Sequence, residues 1–439
     1  MAVGSRNGSR RPRPPLMEHL TVVDEIFLRT HRGMGTPIAL QGLWRTTDAM
    51  SPALLRGIHD RLRHGRLGRR VVDPRVPGAR RSWHPNTRAH PLDLLPSTTP
   101  AFESARSDRP TASASQGPLT EGEILPWADT LGTDLDPAHG PGWRLSAAPL
   151  HDGGTVVAVT CSHALADARG LIHAITTALA PTPTPETSSR TASSEWSDAR
   201  SQWATILTGT TRALRRGIPR PPETATPDTT PGRTVTSTLL TFDAGHWDTT
   251  AAAHNGTPNS LFIHLVANIL WQNGFEHPTI TASLPVDTRD EPRVDNDLAM
   301  TEIDIVRTDT PATIRDKARA AYQRRMSSPA GLPEEILQVL PDRAAYALSK
   351  GAGERDILCS NIGPLPAAVR TVGPHDCTRV AARAIHPDLT TFPRTRLEGY
   401  LSQLDNTYTL ALVSLDTTET LTVAIEKACA ALGLNLQPW

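Results

Sequence analysis

The run Val156-Val157-Ala158-Val159-Thr160-Cys161-Ser162 is short, apolar and largely β-branched, and it ends at His163. Asp167 follows four positions later, and Leu171, Ile172, Ala174 and Ile175 then recur at helical spacing. The pattern predicts a buried strand, a turn at Asp167 and a helix. A strand end presents a side chain from rigid backbone. Imidazole is the side chain best suited to take up and return a proton near neutral pH. A carboxylate a few residues on can brace the turn. The chemistry this spacing offers is therefore general base catalysis by His163. The plain alternative is a histidine satisfied by local hydrogen bonds at a strand end.

Several elements must hold this turn. Leu20 to Leu28 predicts a short helix and Pro37 to Trp44 a strand. Ser51-Pro52 opens a helix striped by Leu54, Leu55, Ile58 and Leu62, with Ser51 as N-cap and Pro52 at the first helical position. Asp152-Gly153-Gly154 marks a tight turn before the Val156 strand. Farther on, the pattern predicts strands at 234–242, 279–286, 300–306 and 410–415. Helices are predicted from Pro258 through Trp271, over 313–326, over 333–350 and over 421–432. Low-complexity stretches at 104–118, 180–194 and 217–232 interrupt the chain, and a helix over 196–216 lies between the last two. The organisation expected is a disordered basic arm over 1–16, an N-terminal lobe over 17–180 carrying His163, a Pro-rich crossover with a helix over 181–233, and a C-terminal lobe over 234–439. Alternating helices and strands in two halves make this an α/β chain.

Ser162-His163-Ala164-Leu165-Ala166-Asp167-Ala168 resembles the HHxxxDG motif of the condensation-domain superfamily. That superfamily includes nonribosomal peptide condensation domains and chloramphenicol acetyltransferase. It also includes wax-ester synthases and polyketide-associated acyltransferases, the last two being nearest in character. Ser162 stands where the first His would be, and Ala168 where the Gly would be. A Gly there would allow an unusual backbone angle or a close approach; Gly170 is a partial substitute. Leu284-Pro285-Val286-Asp287-Thr288-Arg289, with Asn296 following, resembles the PVxxR segment. Ser360-Asn361-Ile362-Gly363-Pro364 resembles SNxGP, and Leu67-Gly68-Arg69-Arg70-Val71 with Trp83-His84-Pro85 resembles the early region. The segments occur in the family's order. The plant-type DFGWG segment is absent.

The resemblance implies two chloramphenicol-acetyltransferase-like lobes, each a mixed sheet with flanking helices, and an active-site channel between them. It implies acyl transfer from a thioester, acyl-CoA or acyl-carrier protein, to a hydroxyl or amine of a small molecule or lipid, with no metal or redox cofactor. His163 would be the base, and Asp167 would pair structurally with Arg289. Ser162, Ser360 and Asn361 would contact substrate or the oxyanion. Asn-x-Gly-Pro is equally ordinary turn chemistry, and Ser162 could be no more than a small residue at a crowded strand end. Ester formation is favoured over a peptide bond, because no adenylation or carrier domain accompanies these residues. A stand-alone amide-forming enzyme fed by a carrier protein, and a catalytically idle binding protein of the same fold, are the alternatives.

Composition narrows the field. With 439 residues, the chain suits two lobes. Its formal net charge of zero gives no support to nucleic acid as a partner. Arginine carries nearly all the positive charge, since lysine occurs only at 317, 350 and 427. Arg56 to Arg81 and Arg212 to Arg220 are basic stretches, readable as solvated faces or as a grip on coenzyme A phosphates or an acidic carrier. Cys161, Cys359, Cys377 and Cys429 have no metal-ligand spacing. No apolar run has the length of a membrane span, and no signal peptide is evident, so a soluble cytoplasmic protein is expected.

Overall fold

The computed structural model of the chain describes residues 18–95, 117–180, 194–216, 234–323, 332–349, 354–415 and 421–439. The predicted basic arm and most of the low-complexity stretches lie outside them. Two sheets organise the rest. The first runs in the order Thr371–Val372, His375–Ile385, Ala39–Thr46, Thr155–Ser162, Trp143–Pro149, Asp93–Leu94. The second runs Leu298–Val306, Thr279–Asp287, Ile357–Pro364, Leu397–Leu404, Thr407–Ser414, Thr236–Asp243, Gln437–Pro438. Both are mixed. In the first, Asp93–Leu94 runs parallel to its neighbour, and in the second, Ile357–Pro364 is parallel to the strands on either side. Glu18–His19, Ser82–Pro85 and Arg69–Val72 form a small third sheet.

The strand Thr155–Ser162 is buried at every position, consistent with its β-branched run. It pairs with Ala39–Thr46 on one side and Trp143–Pro149 on the other. The helix Pro258–Gln272 is buried nearly all round and underlies the second sheet. Its Thr257 cap and first-turn proline begin it where the sequence places the start.

The segment after residue 234 contributes strands to both sheets. His375–Ile385, unrecognised in the sequence, leaves the second lobe and pairs antiparallel with Ala39–Thr46 in the first, opposing Arg383 to Gln41. The predicted helical region over 333–350 is two short helices, Ile336–Val339 and Asp342–Ser349. Pro341 separates them, and Leu340 before it is extended, as a residue preceding proline prefers. Ser360 and Asn361 sit in a strand rather than a free turn. The turn-like chemistry there is a register shift between Asn361 and Gly363, where φ is +75°.

Candidate active site

The strand Thr155–Ser162 delivers His163 to a tight turn. The His163 amide donates to the carbonyl of Ile38 at 3.1 Å, and Leu165 N donates to the Ser162 carbonyl at 2.9 Å. Asp167 then caps the helix Ala168–Leu179, accepting from Gly170 N at 2.8 Å. Ala168 is the first helical residue and has no left-handed backbone angle, so alanine costs nothing there. The close approach occurs at Gly170 instead. A Cβ at that position would lie 3.0 Å from the carbonyl oxygen of Asp295.

The hairpin loop over 288–297, from the second sheet, closes over this turn. Arg289 Nη2 lies 2.6 Å from each carboxylate oxygen of Asp167 and donates to the Asp295 carbonyl at 3.1 Å. A single nitrogen straddles both oxygens, so the contact is not a two-nitrogen fork. Nη1 instead faces Asp287 Oδ1 at 3.0 Å. Asp297 N adds a bond to Asp167 Oδ2 at 3.0 Å. Beside it, Arg69 pairs with Asp295 at 3.0 Å and stacks over Trp83. The Arg289–Asp167, Asp297–Asp167 and Arg69–Asp295 contacts join the loop to the first lobe.

Asn296 lies in the same loop and is buried. Its Nδ2 donates to Asp24 Oδ1 and to the His163 carbonyl, both at 2.8 Å. Those two acceptors fix the amide orientation and turn Oδ1 toward His163 Nδ1, 3.0 Å away. An amide oxygen only accepts, so Nδ1 carries the proton and Nε2 is left as the basic nitrogen. Phe27 stacks on the imidazole with centroids 3.7 Å apart and holds the ring plane. Burial pushes the His163 pKa below the ordinary imidazole value, against the opposing pull of Asp167, Asn296 and Glu398. The ring is therefore neutral near pH 7. Burial also raises Asp24 to about 6, with Arg69 opposing.

His163 lines a cavity of about 1080 Å³ between the lobes. Its walls are largely apolar: Ile26 and Phe27, Leu40 and Trp44, Leu171 and Ile175, Val380 and Ala382. Ser360 and Asn361 also line it, although Asn361 Nδ2 donates to Asn259 Oδ1 at 2.9 Å. Ser162 does not line it. Its side chain is buried and accepts from Ala164 N at 3.3 Å, within the turn. A second cavity of about 1050 Å³ adjoins the first, sharing Thr30, Gly35, Thr36 and Ile38.

No family model matches this sequence, and no curated protein matches it. Solved structures do match its shape. The epimerization domain from the third module of tyrocidine synthetase B superposes with a TM-score of 0.55 at 12% identity, covering 95% of each chain. The first condensation domain of the CDA synthetase gives 0.57 at 12% identity, again covering 95% of each. The wax ester synthase/diacylglycerol acyltransferase from Marinobacter aquaeolei VT8 gives 0.54 at 14% identity, covering 94% of this chain and 98% of that one. The chain has the condensation-domain fold.

In this condensation-domain fold, the sequence reading missed a second polar group in the cavity wall. Glu398 Oε2 accepts from Tyr400 Oη at 2.6 Å and lies 3.0 Å from His386 Nε2. His386 Nδ1 lies 3.0 Å from the Pro37 carbonyl. Two acceptors, one at each ring nitrogen, call for the doubly protonated imidazolium. Burial works against both charges. The pairing outweighs it, holding His386 above and Glu398 below their ordinary values. Asp24 and Phe27 were legible only as parts of a predicted helix. Asp24 carries one readable signal, its place in the capping box that starts at Thr21.

The basic stretch from Arg56 to Arg81 is in large part internal structure. Arg66 pairs with Glu18, Arg69 with Asp295, and Arg81 with Glu25. Cys161 is fully buried, and burial pushes its thiol up to about 12, which leaves it no nucleophilic role at neutral pH. Among the described residues, no group of His, Cys, Asp and Glu could hold a metal ion.

Proposed function

We propose that this protein is an acyltransferase that moves an acyl group from a thioester to a hydroxyl or amine of a small-molecule or lipid acceptor. The observation carrying this reading is the His163–Asn296 contact at the wall of a large, mainly apolar cavity. It supplies a neutral imidazole with a defined basic nitrogen. In the proposed reaction, Nε2 takes the proton of the acceptor's O–H or N–H as the acceptor oxygen or nitrogen attacks the thioester carbonyl. The tetrahedral oxyanion requires a donor, and the Ser360 hydroxyl in the cavity wall is the candidate. Collapse breaks the C–S bond, and the proton on Nε2 passes to the departing thiolate. The balance is one ester or amide and one thiol from one thioester and one acceptor. The apolar lining favours an acyl chain as cargo. Acyl-CoA and an acylated carrier protein are both candidate donors.

The test is incubation with a panel of acyl-CoA thioesters, and with carrier-loaded equivalents, in the presence of mixed alcohols and amines. Free thiol and acylated product are followed together for the wild type and His163→Ala. Acceptor-dependent thiol release that the substitution abolishes is the expected result. Equal turnover by both would remove His163 as the base. No turnover with either donor would favour a binding protein of this fold.

A further inference from the structure

The helix Glu195–Arg216 carries an apolar stripe beside its packed face, with the Trp203 indole resting against Gly78. At 3.6 residues per turn, Trp196, Trp203, Leu207 and Leu214 fall within about 40° of one another, along about 27 Å of helix. Trp196, Leu207 and Leu214 are 69%, 62% and 60% exposed, and Trp203 is 45% exposed. The packed face is a separate one, formed by Asp198, Ala199, Gln202, Ile206 and Ala213, all buried. Isolated exposed leucines are unremarkable, but four large apolar side chains in one row on one helix are not.

Charge on this helix is sorted as well. Arg200 and Arg215, about 40° and 100° round the helix from the apolar row, are exposed. Its two acidic residues are turned to the fold: Glu195 accepts from the amides of Arg75 and Val76, and Asp198 is buried against Arg80. The exposed face therefore combines tryptophan, leucine and arginine with no exposed carboxylate. That chemistry matches an anionic lipid surface, where tryptophan rings sit at headgroup depth and guanidinium groups meet phosphates. No described helix is long and apolar enough to cross a membrane, so the complementarity is with the surface of the bilayer. The location also fits. Gly209 abuts Pro333, and the neighbouring Glu334 and Leu337 line the cavity that holds His163.

We propose that the outer face of this helix docks the protein on anionic membrane surfaces. The docking is peripheral and salt-sensitive. It brings the cavity rim next to a phase in which apolar substrates concentrate.

Vesicle flotation tests this without any substrate, so its result is independent of acyl transfer. The full chain is mixed with vesicles of phosphatidylcholine alone, or of phosphatidylcholine and phosphatidylglycerol in equal parts. The expected result is flotation with the anionic vesicles, weakened by added salt. Arg200→Gln and Arg215→Gln should each weaken partitioning about fivefold, and Leu207→Glu with Leu214→Glu should abolish it. These positions are exposed, and an unchanged circular dichroism spectrum and melting temperature would verify that the variants fold. Absence of flotation by the wild type, or flotation unaffected by the variants, overturns the proposal. So does vesicle-free binding to an acidic acyl-carrier protein that the same variants abolish while flotation persists, since the face would then be a protein dock.

Discussion

His163 Nδ1 and Asn296 Oδ1 meet at 3.0 Å across the seam between the lobes. One residue ends a strand of the first sheet, and the other sits in a loop between two strands of the second. The proton position on the imidazole is thus set by the docking of one lobe on the other. Asp24, bonded to the same amide, extends the line to a carboxylate. In the proposed reaction, that charge would favour the imidazolium formed when His163 accepts a proton.

Replacing Asn296 with alanine should lower kcat by about a hundredfold, because neither tautomer is then enforced, with little change in KM. The pH profile separates this from loss of packing. Wild-type activity should be flat near neutrality and should fall as pH drops through the depressed His163 value. The Asn296 bond raises that value, so its loss moves the acid limb to still lower pH. Steady-state thiol release across pH reads both effects. An unchanged kcat would remove Asn296 from the site.

Arg289→Ala leaves the Asp167 carboxylate in a place where both side chains are 8% exposed. Breaking a buried pair costs about 3–5 kcal/mol. Asp167 keeps its bonds from Gly170 N and Asp297 N, which points to the lower end of that range. Urea unfolding of the single variant, against Asp167→Asn combined with Arg289→Met, measures it. The double variant should recover much of the loss, because no charge is then stranded. Equal loss in both would mean that the shape of the arginine matters rather than its charge.

The Glu398–His386 pair gives stability a defined pH window. His386 is held above its ordinary 6.5, so its contribution is complete below that value and is lost as pH rises through the raised one. Glu398 is held below its ordinary 4.5, so its contribution is present above that value and is lost as pH falls through the lowered one. Glu398→Gln should therefore destabilise most between pH 4.5 and 6.5, by about 3 kcal/mol, and progressively less in alkaline solution. Melting temperature against pH for both proteins tests this. A loss equal at every pH would assign Glu398 to packing alone.

Local patterning carried much of the fold. The β-branched run at 156–160 could only bury as a strand, and Pro258-Asn259-Ser260 before a 3.6-residue apolar repeat could only start a helix. Patterning failed where the partner is remote. His375–Ile385 has mixed polarity because one edge meets the first sheet while the strand lies against the second, where Thr409 bonds the Val380 carbonyl. Glu398, His386 and Asp24 looked like ordinary charged residues. What distinguishes them is burial, and burial is a property of the assembled fold.

The sequence by itself determined the chemistry available at one turn: an imidazole at a strand end, an aspartate to cap the next helix, and the types of residue in the segments that accompany them. These are short-range matters, fixed by residue type and by spacings of two to four positions. Tertiary structure alone decided which imidazole nitrogen holds the proton, that Arg289 reaches Asp167 through one nitrogen, that Ser162 turns away from the cavity, and that Glu398 joins its wall. Each of these depends on side chains far apart in the chain brought within about 3 Å, a distance that only the packing of one lobe on the other can set.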